Sequence, residues 1–147
     1  MDRSEENLWL ELVVSSPVLF VTNDFGPRAG GIETFVIGLI ERRPFGQTIV
    51  YTSAQAGSEE YDKAWKTDFG VTVIRDRAKI LLPTPRVARN VARIIKESEI
   101  QVAAFGAAAP LGLLSASMKR AGVQKTAALT HGHEVWWAKV FPFNLAL

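Results

Sequence analysis

At 147 residues the chain is long enough for one ordinary domain with a sizeable core and short for an enzyme of two. Hydrophobic residues make up 48% and charged residues 22%, which excludes a disordered chain, and the absence of cysteine excludes disulfides, thiolate metal sites and cysteine nucleophiles. The net charge of +2 conceals a division: residues 1–74 carry 11 acidic and six basic side chains, whereas residues 75–97 carry seven basic and two acidic ones. A basic block of this kind points to an anionic partner. Asp2, Glu5, Glu6 and Glu11 are unlike the basic start of a secretory leader. No stretch approaches the roughly 20 apolar residues of a membrane span, so any membrane contact is expected to be peripheral.

Residues 1–16 read as an extension, with a helical turn around Leu8 to Val14. Val18 to Thr22 is a short apolar, β-branched run suited to a buried parallel strand. The Gly-, Pro-, Asn- and Asp-rich stretch Asn23 to Gly31 is a loop. Ile32, Phe35, Val36, Leu39 and Ile40 follow helical spacing, predicting an amphipathic helix that closes near Pro44. Gln47 to Tyr51 predicts a second strand, Ser58 to Asp68 a helix, and Val71 to Arg75 a third strand. Thr84-Pro85 opens a helix to about Glu97, with a hydroxyl at the cap and proline in the first turn. Ile100 to Phe105 predicts a fourth strand, Pro110 to Ala121 a helix ended by Gly122, and Lys125 to Thr130 a fifth strand. Strand and helix alternate without a hairpin signal, which predicts an α/β domain, a Rossmann-like parallel sheet with helices on both faces.

In such sheets ligands bind beyond the carboxyl ends of the strands. Three strand-end segments are candidates. The first, Asn23 to Gly31, delivers Gly30 and Gly31 into a helix start, with Asp24 and Arg28 on the same rim. It is either a phosphate cradle built of unpaired N–H groups or a tight turn that needs flexible backbone. It is neither the Gly-x-Gly-x-x-Gly dinucleotide fingerprint nor a P-loop, which argues against a nicotinamide oxidoreductase. The second, Phe105-Gly106-Ala107-Ala108-Ala109-Pro110, is small enough for close approach by a ligand or by a packed helix. The third, His131-Gly132-His133-Glu134, holds both histidines of the chain, and suits a sugar-hydroxyl contact, a structural role or, less readily, a metal. Trp136 and Trp137 suit a sugar-stacking wall or an interdomain seam.

On the helix from Pro85 to Glu97, Arg86, Arg89, Arg93 and Lys96 share one stripe at about 100° per residue, opposite Val87, Val91, Ile94 and Ile95. An ordinary surface helix also has a polar face. The cationic stripe beside Ile80-Leu81-Leu82 favours an anionic membrane surface over nucleic acid.

Together, Val21 to Thr34, Leu81-Leu82-Pro83-Thr84-Pro85, Phe105 to Leu111 and Thr130-His131-Gly132-His133-Glu134-Val135 resemble, in order and spacing, the N-terminal half of the GDP-mannose-dependent phosphatidylinositol-monomannoside mannosyltransferases. These are family 4 retaining glycosyltransferases of the GT-B fold. The resemblance runs from residue 18 to about 140. It implies that residues 17–147 form a GT-B N-terminal, acceptor-side domain without its nucleotide-sugar domain, able to fold but barely to catalyse alone.

It further implies a catalytic-centre role for His131 beside the transferred sugar. Gly30, Gly31, Asn23, Asp24, Arg28, His133, Glu134 and Gly106 would belong to the donor-phosphate and acceptor region. Arg86, Arg89, Arg93 and Lys96 would touch an anionic membrane. Transfer would retain configuration, with the leaving phosphate taking the acceptor proton. No metal and no cofactor would be required, with GDP-mannose as donor substrate. The partners implied are a sugar nucleotide, a phosphoinositide lipid acceptor and the inner face of the plasma membrane, reached from the cytoplasm, and no nucleic acid. The alternative is a stand-alone lipid- or phosphosugar-binding module without catalysis. Two positions depart from the family pattern: Gly26 stands where a second proline is usual, and Trp136-Trp137 where Gly-Trp is usual.

Overall fold

The computed structural model describes residues 16–28 and 30–131. Five parallel strands, β1 (Val18–Thr22), β2 (Thr48–Thr52), β3 (Thr72–Arg75), β4 (Val102–Phe105) and β5 (Lys125–Ala128), lie in the order β3-β2-β1-β4-β5. The helices are α1 (Gly31–Glu41), α2 (Ser58–Phe69), α3 (Pro85–Glu97) and α4 (Ser115–Ala121), the last preceded by a 3₁₀ turn at Leu111–Leu114. This is the Rossmann-like α/β arrangement expected. Strand order reverses between β1 and β4, and in sheets of this kind ligands bind beyond the carboxyl ends of the strands at such a point.

Side-chain alternation along the central strands sorts the core into two layers. Val18 and Phe20 of β1, Val50 of β2 and Val102 of β4 pack with Val36 and Ile40 of α1 and Trp65 of α2. Leu19 and Val21, Tyr51, Ala103 and Phe105 point the other way, onto Val87, Val91, Ile94 and Ile95 of α3 and Met118 of α4. All five residues of β1 are buried, as a strand covered on both faces requires. Among the described residues, no helix is long and apolar enough to cross a membrane.

Most boundaries match their expectations within a few residues, and the differences have local causes. The fourth strand starts at Val102 rather than Ile100, because the Ile100 amide donates to the Ile95 carbonyl and stays wrapped on the end of α3. The helix expected from Pro110 is split: Leu111–Leu114 winds as 3₁₀, and only Ser115–Ala121 is α-helical. Its end at Gly122 (φ +127) is as expected. The helical turn around Leu8 to Val14, together with Gly132, His133, Glu134, Trp136 and Trp137, lies outside the described residues.

Candidate functional site at the carboxyl rim of the sheet

Two of the three expected segments meet where β1 and β4 end. Gly106 follows β4 directly and its amide donates to the Val21 carbonyl at 3.1 Å, so the two strand ends stay paired one residue past the sheet. A Cβ at Gly106 would lie 2.2 Å from Thr22 Oγ1, so only glycine fits there. This favours close packing over ligand approach as the reason for that glycine.

His131 lies over the same junction. Its Nε2 is 2.7 Å from the Gly106 carbonyl. A carbonyl can only accept, so Nε2 carries the proton. The imidazole also meets the ring of Phe35 edge to face, with centroids 6.1 Å apart and planes at 88°. Phe35 sits in the second turn of α1, the helix that Gly30 and Gly31 open. Diglycine and histidine therefore share one rim.

Gly30 and Gly31 differ from Gly106. Gly30 is extended (φ −159°), a conformation open to any residue, and neither glycine has positive φ. An added Cβ at either position meets nothing within 4 Å. No side chain among the described residues caps α1. The described residues thus give no packing reason for two glycines there. A helix start with uncapped N–H groups is a place where an anion is stabilised in general.

Beside this start lies a cleft of about 350 Å³ whose lining includes Asn23, Asp24, Arg28, Gly30, Glu33 and Lys79. Each expected residue has a distinct position. Asn23 is a clip, its Nδ2 donating to the Leu81 carbonyl at 3.1 Å and its Oδ1 accepting from the Leu81 amide at 2.6 Å, which folds residues 77–83 over the rim. The Asp24 amide donates to Thr22 Oγ1 at 2.9 Å. Arg28 is exposed, and its backbone amide donates to Gln55 Oε1. Glu33, in the first turn of α1, was not singled out from the sequence. Burial, then the neighbouring Asp24 charge, raises its carboxyl above the ordinary carboxylate value. Among the described residues there is no cluster of three metal-ligating side chains.

The cationic stripe of α3 is not one surface. Arg86 grips Asp76 through two bonds of 2.7 and 2.8 Å. The Asp76 side chain is 1% exposed and also accepts from the Ala78 amide and the Tyr51 hydroxyl. Arg86 above all holds Asp76 well below the usual carboxylate range, while burial pushes Tyr51 up to about 12. Arg86 therefore ties α3 to the end of β3. Arg93 lines a cleft of about 390 Å³ beside it with Arg77, whereas Arg89 and Lys96 turn toward Arg120 along a groove against α4. A helical projection could not reveal this split, because Asp76 lies ten residues upstream of Arg86.

No family model matches the chain. It is 42% identical over 124 residues to the GDP-mannose-dependent monoacylated alpha-(1-6)-phosphatidylinositol monomannoside mannosyltransferase of Corynebacterium glutamicum, a match covering 84% of this chain and 32% of that protein. It is 43% identical over 123 residues to the GDP-mannose-dependent alpha-(1-6)-phosphatidylinositol monomannoside mannosyltransferase of Mycolicibacterium smegmatis, covering 82% and 32% respectively. The protein of the same name from Mycobacterium tuberculosis is 42% identical over 127 residues. The chain spans about a third of the length of the curated relatives it matches.

Proposed function

Because the chain is homologous to GDP-mannose-dependent phosphatidylinositol monomannoside mannosyltransferases over most of its own length, we propose that it forms the acceptor-side part of such a glycosyltransferase. The donor is GDP-mannose, the acceptor a phosphatidylinositol mannoside, and the anomeric configuration is retained. The observation that carries this reading is the convergence of the open Gly30-Gly31 helix start with His131 on one rim. The glycine backbone receives phosphate, and His131, its ring braced by Phe35 and the Gly106 carbonyl, stands beside the transferred mannose. Asp24, Arg28 and Glu33 face the acceptor hydroxyls from the adjoining cleft.

Peripheral binding to the inner face of the plasma membrane is part of the same proposal. Arg89, Arg93 and Lys96 supply its cations, and the exposed Ile80 and Leu82 its apolar contact. Arg86 contributes less, being spent on Asp76. No metal is assigned to the reaction.

The test is a chimera in which this chain replaces the stretch it matches in the Corynebacterium glutamicum relative, assayed for mannosyl transfer from GDP-mannose to a phosphatidylinositol mannoside. The chimera should transfer mannose, and His131→Ala should lower kcat by about 10²-fold, the scale of a lost polar contact at a reacting centre. Undiminished transfer by the variant would remove His131 from the site.

A further inference from the structure

Arg75, the last residue of β3, was visible in the sequence only as one charge of the basic block. In the fold it reaches across the sheet end to the loop between β1 and α1. Its side chain is 12% exposed and pairs with Asp62 of α2 through bonds of 2.8 and 2.7 Å. The remaining donors go to main-chain carbonyls: Nη1 to Ser53 at 3.1 Å and Phe25 at 3.5 Å, and Nη2 to Gly26 at 2.6 Å.

The same stretch of loop is held elsewhere from behind. Phe25 is fully buried against Tyr61 and Trp65. A Cβ on Gly26 would come within 2.5 Å of the Tyr61 ring, which accounts for glycine at this position. Gln55 donates to the Phe25 carbonyl and accepts from the Arg28 amide. The front half of the loop is thus clamped, whereas Gly30 and Gly31 face open space.

We propose that Arg75 is a positioning residue, which fixes the carbonyls of Phe25 and Gly26 and thereby sets where the following Gly30-Gly31 amides meet a phosphate group. This rests on the phosphate role given to the glycines above. Carbonyls accept but do not donate, so the clamp needs a multidentate donor, and Asp62 offsets its charge. Lysine cannot reproduce the planar fork. The clamp is not what joins α2 to β3, because the Gly70 and Val71 amides already bond the Lys66 and Trp65 carbonyls, and β2 pairs with β3 in its own register.

The test uses the 147-residue chain, ¹⁵N-labelled, as wild type, Arg75→Met, Arg75→Lys and Asp62→Asn. Amide hydrogen exchange and the Gly30 and Gly31 resonances are followed without ligand and during titration with inorganic pyrophosphate. In Arg75→Met, the amides of Asp24, Phe25, Gly26 and Arg28 should exchange at least tenfold faster, while β1, β2 and β4 keep their protection. The glycine resonances should move, and pyrophosphate should bind at least tenfold more weakly. Arg75→Lys should not rescue, and Asp62→Asn should show a smaller effect in the same loop. Loop exchange at the wild-type rate in both Arg75 variants, or loss of protection in the strands in step with the loop, would overturn the proposal. Unchanged pyrophosphate affinity alongside a mobilised loop would overturn the role of Arg75 alone. Wild-type glycine amides that ignore pyrophosphate would sink the phosphate role and this inference together.

Discussion

Helices α1 and α3 begin with the same set of backbone N–H groups left over by helical geometry, and the chain treats the two starts differently. At α3, Thr84 accepts from the Val87 amide at 3.3 Å and Pro85 removes one donor altogether. At α1, no described side chain caps the first turn, and two glycines stand where a Cβ would touch nothing. The first start is finished within the fold, and the second is left open by the described residues and is the one to which the proposed function assigns a phosphate. A residue that serves the fold announces itself by what surrounds it; a residue kept for a ligand is conspicuous because nothing in the chain explains it.

The largest effect expected lies at the end of α3's brace. Asp76→Ala leaves the buried Tyr51 hydroxyl and the Ala78 amide without their acceptor and releases Arg86 to solvent, and should cost about 2–3 kcal/mol in denaturant unfolding. The same carboxylate predicts acid sensitivity. Its pKa in the folded chain is below the ordinary 3.8, so its contribution is complete above that value and is lost as pH falls toward the folded pKa. Glu33 acts with the opposite sign, since its raised pKa means that ionisation above the ordinary 4.5 opposes folding. Thermal melts of Asp76→Ala between pH 2 and pH 6 should accordingly show a shallower acid-side slope than the wild type.

Next comes the contrast among glycines. Gly106→Ala drives a methyl group into Thr22 and should cost about 1–3 kcal/mol. Gly31→Ala meets open space and should leave stability unchanged or raise it by up to about 1 kcal/mol. The caps give a smaller test. Thr84→Ala should lose about 1 kcal/mol, whereas Gly30→Ser, which supplies α1 with a cap, should not destabilise the chain. Smallest in stability is Arg89→Glu with Lys96→Glu, at about 0.5 kcal/mol or less. On the membrane contact proposed above, this pair should nonetheless abolish flotation with phosphatidylinositol-containing vesicles, and persistent flotation would remove the α4-side groove from that proposal.

Much of this architecture was legible in the sequence because it is encoded locally. The bounds of α3 follow from Thr84-Pro85 and the 3.6-residue recurrence of Val87, Val91, Ile94 and Ile95. β1 follows from an unbroken β-branched and apolar run. The rim holding Gly30, Gly31, Gly106 and His131 follows from the rule that strand ends of a parallel sheet converge. What escaped was long-range pairing. Asn23 with Leu81 spans 58 positions, Arg75 with the Gly26 carbonyl 49, and Arg86 with Asp76 ten. None has a periodic signature, and Asp76 and Arg75 carry the same formal charges whether solvated or buried. The stripe on α3 therefore read as one cationic surface, although one of its members is a buried acid's partner.

The most direct test of the account separates folding from transfer at a single glycine. In the chimera with the Corynebacterium glutamicum relative, the unfolding temperature and the mannosyl-transfer rate should be measured together for Gly31→Ala. The melting temperature should stay level or rise while transfer falls at least tenfold, because the added methyl occupies space that the described residues leave empty and that the proposed function gives to a phosphate. Full transfer with a methyl group at that position would show that nothing binds against the start of α1, and would contradict the reading of the rim as a glycosyltransferase site.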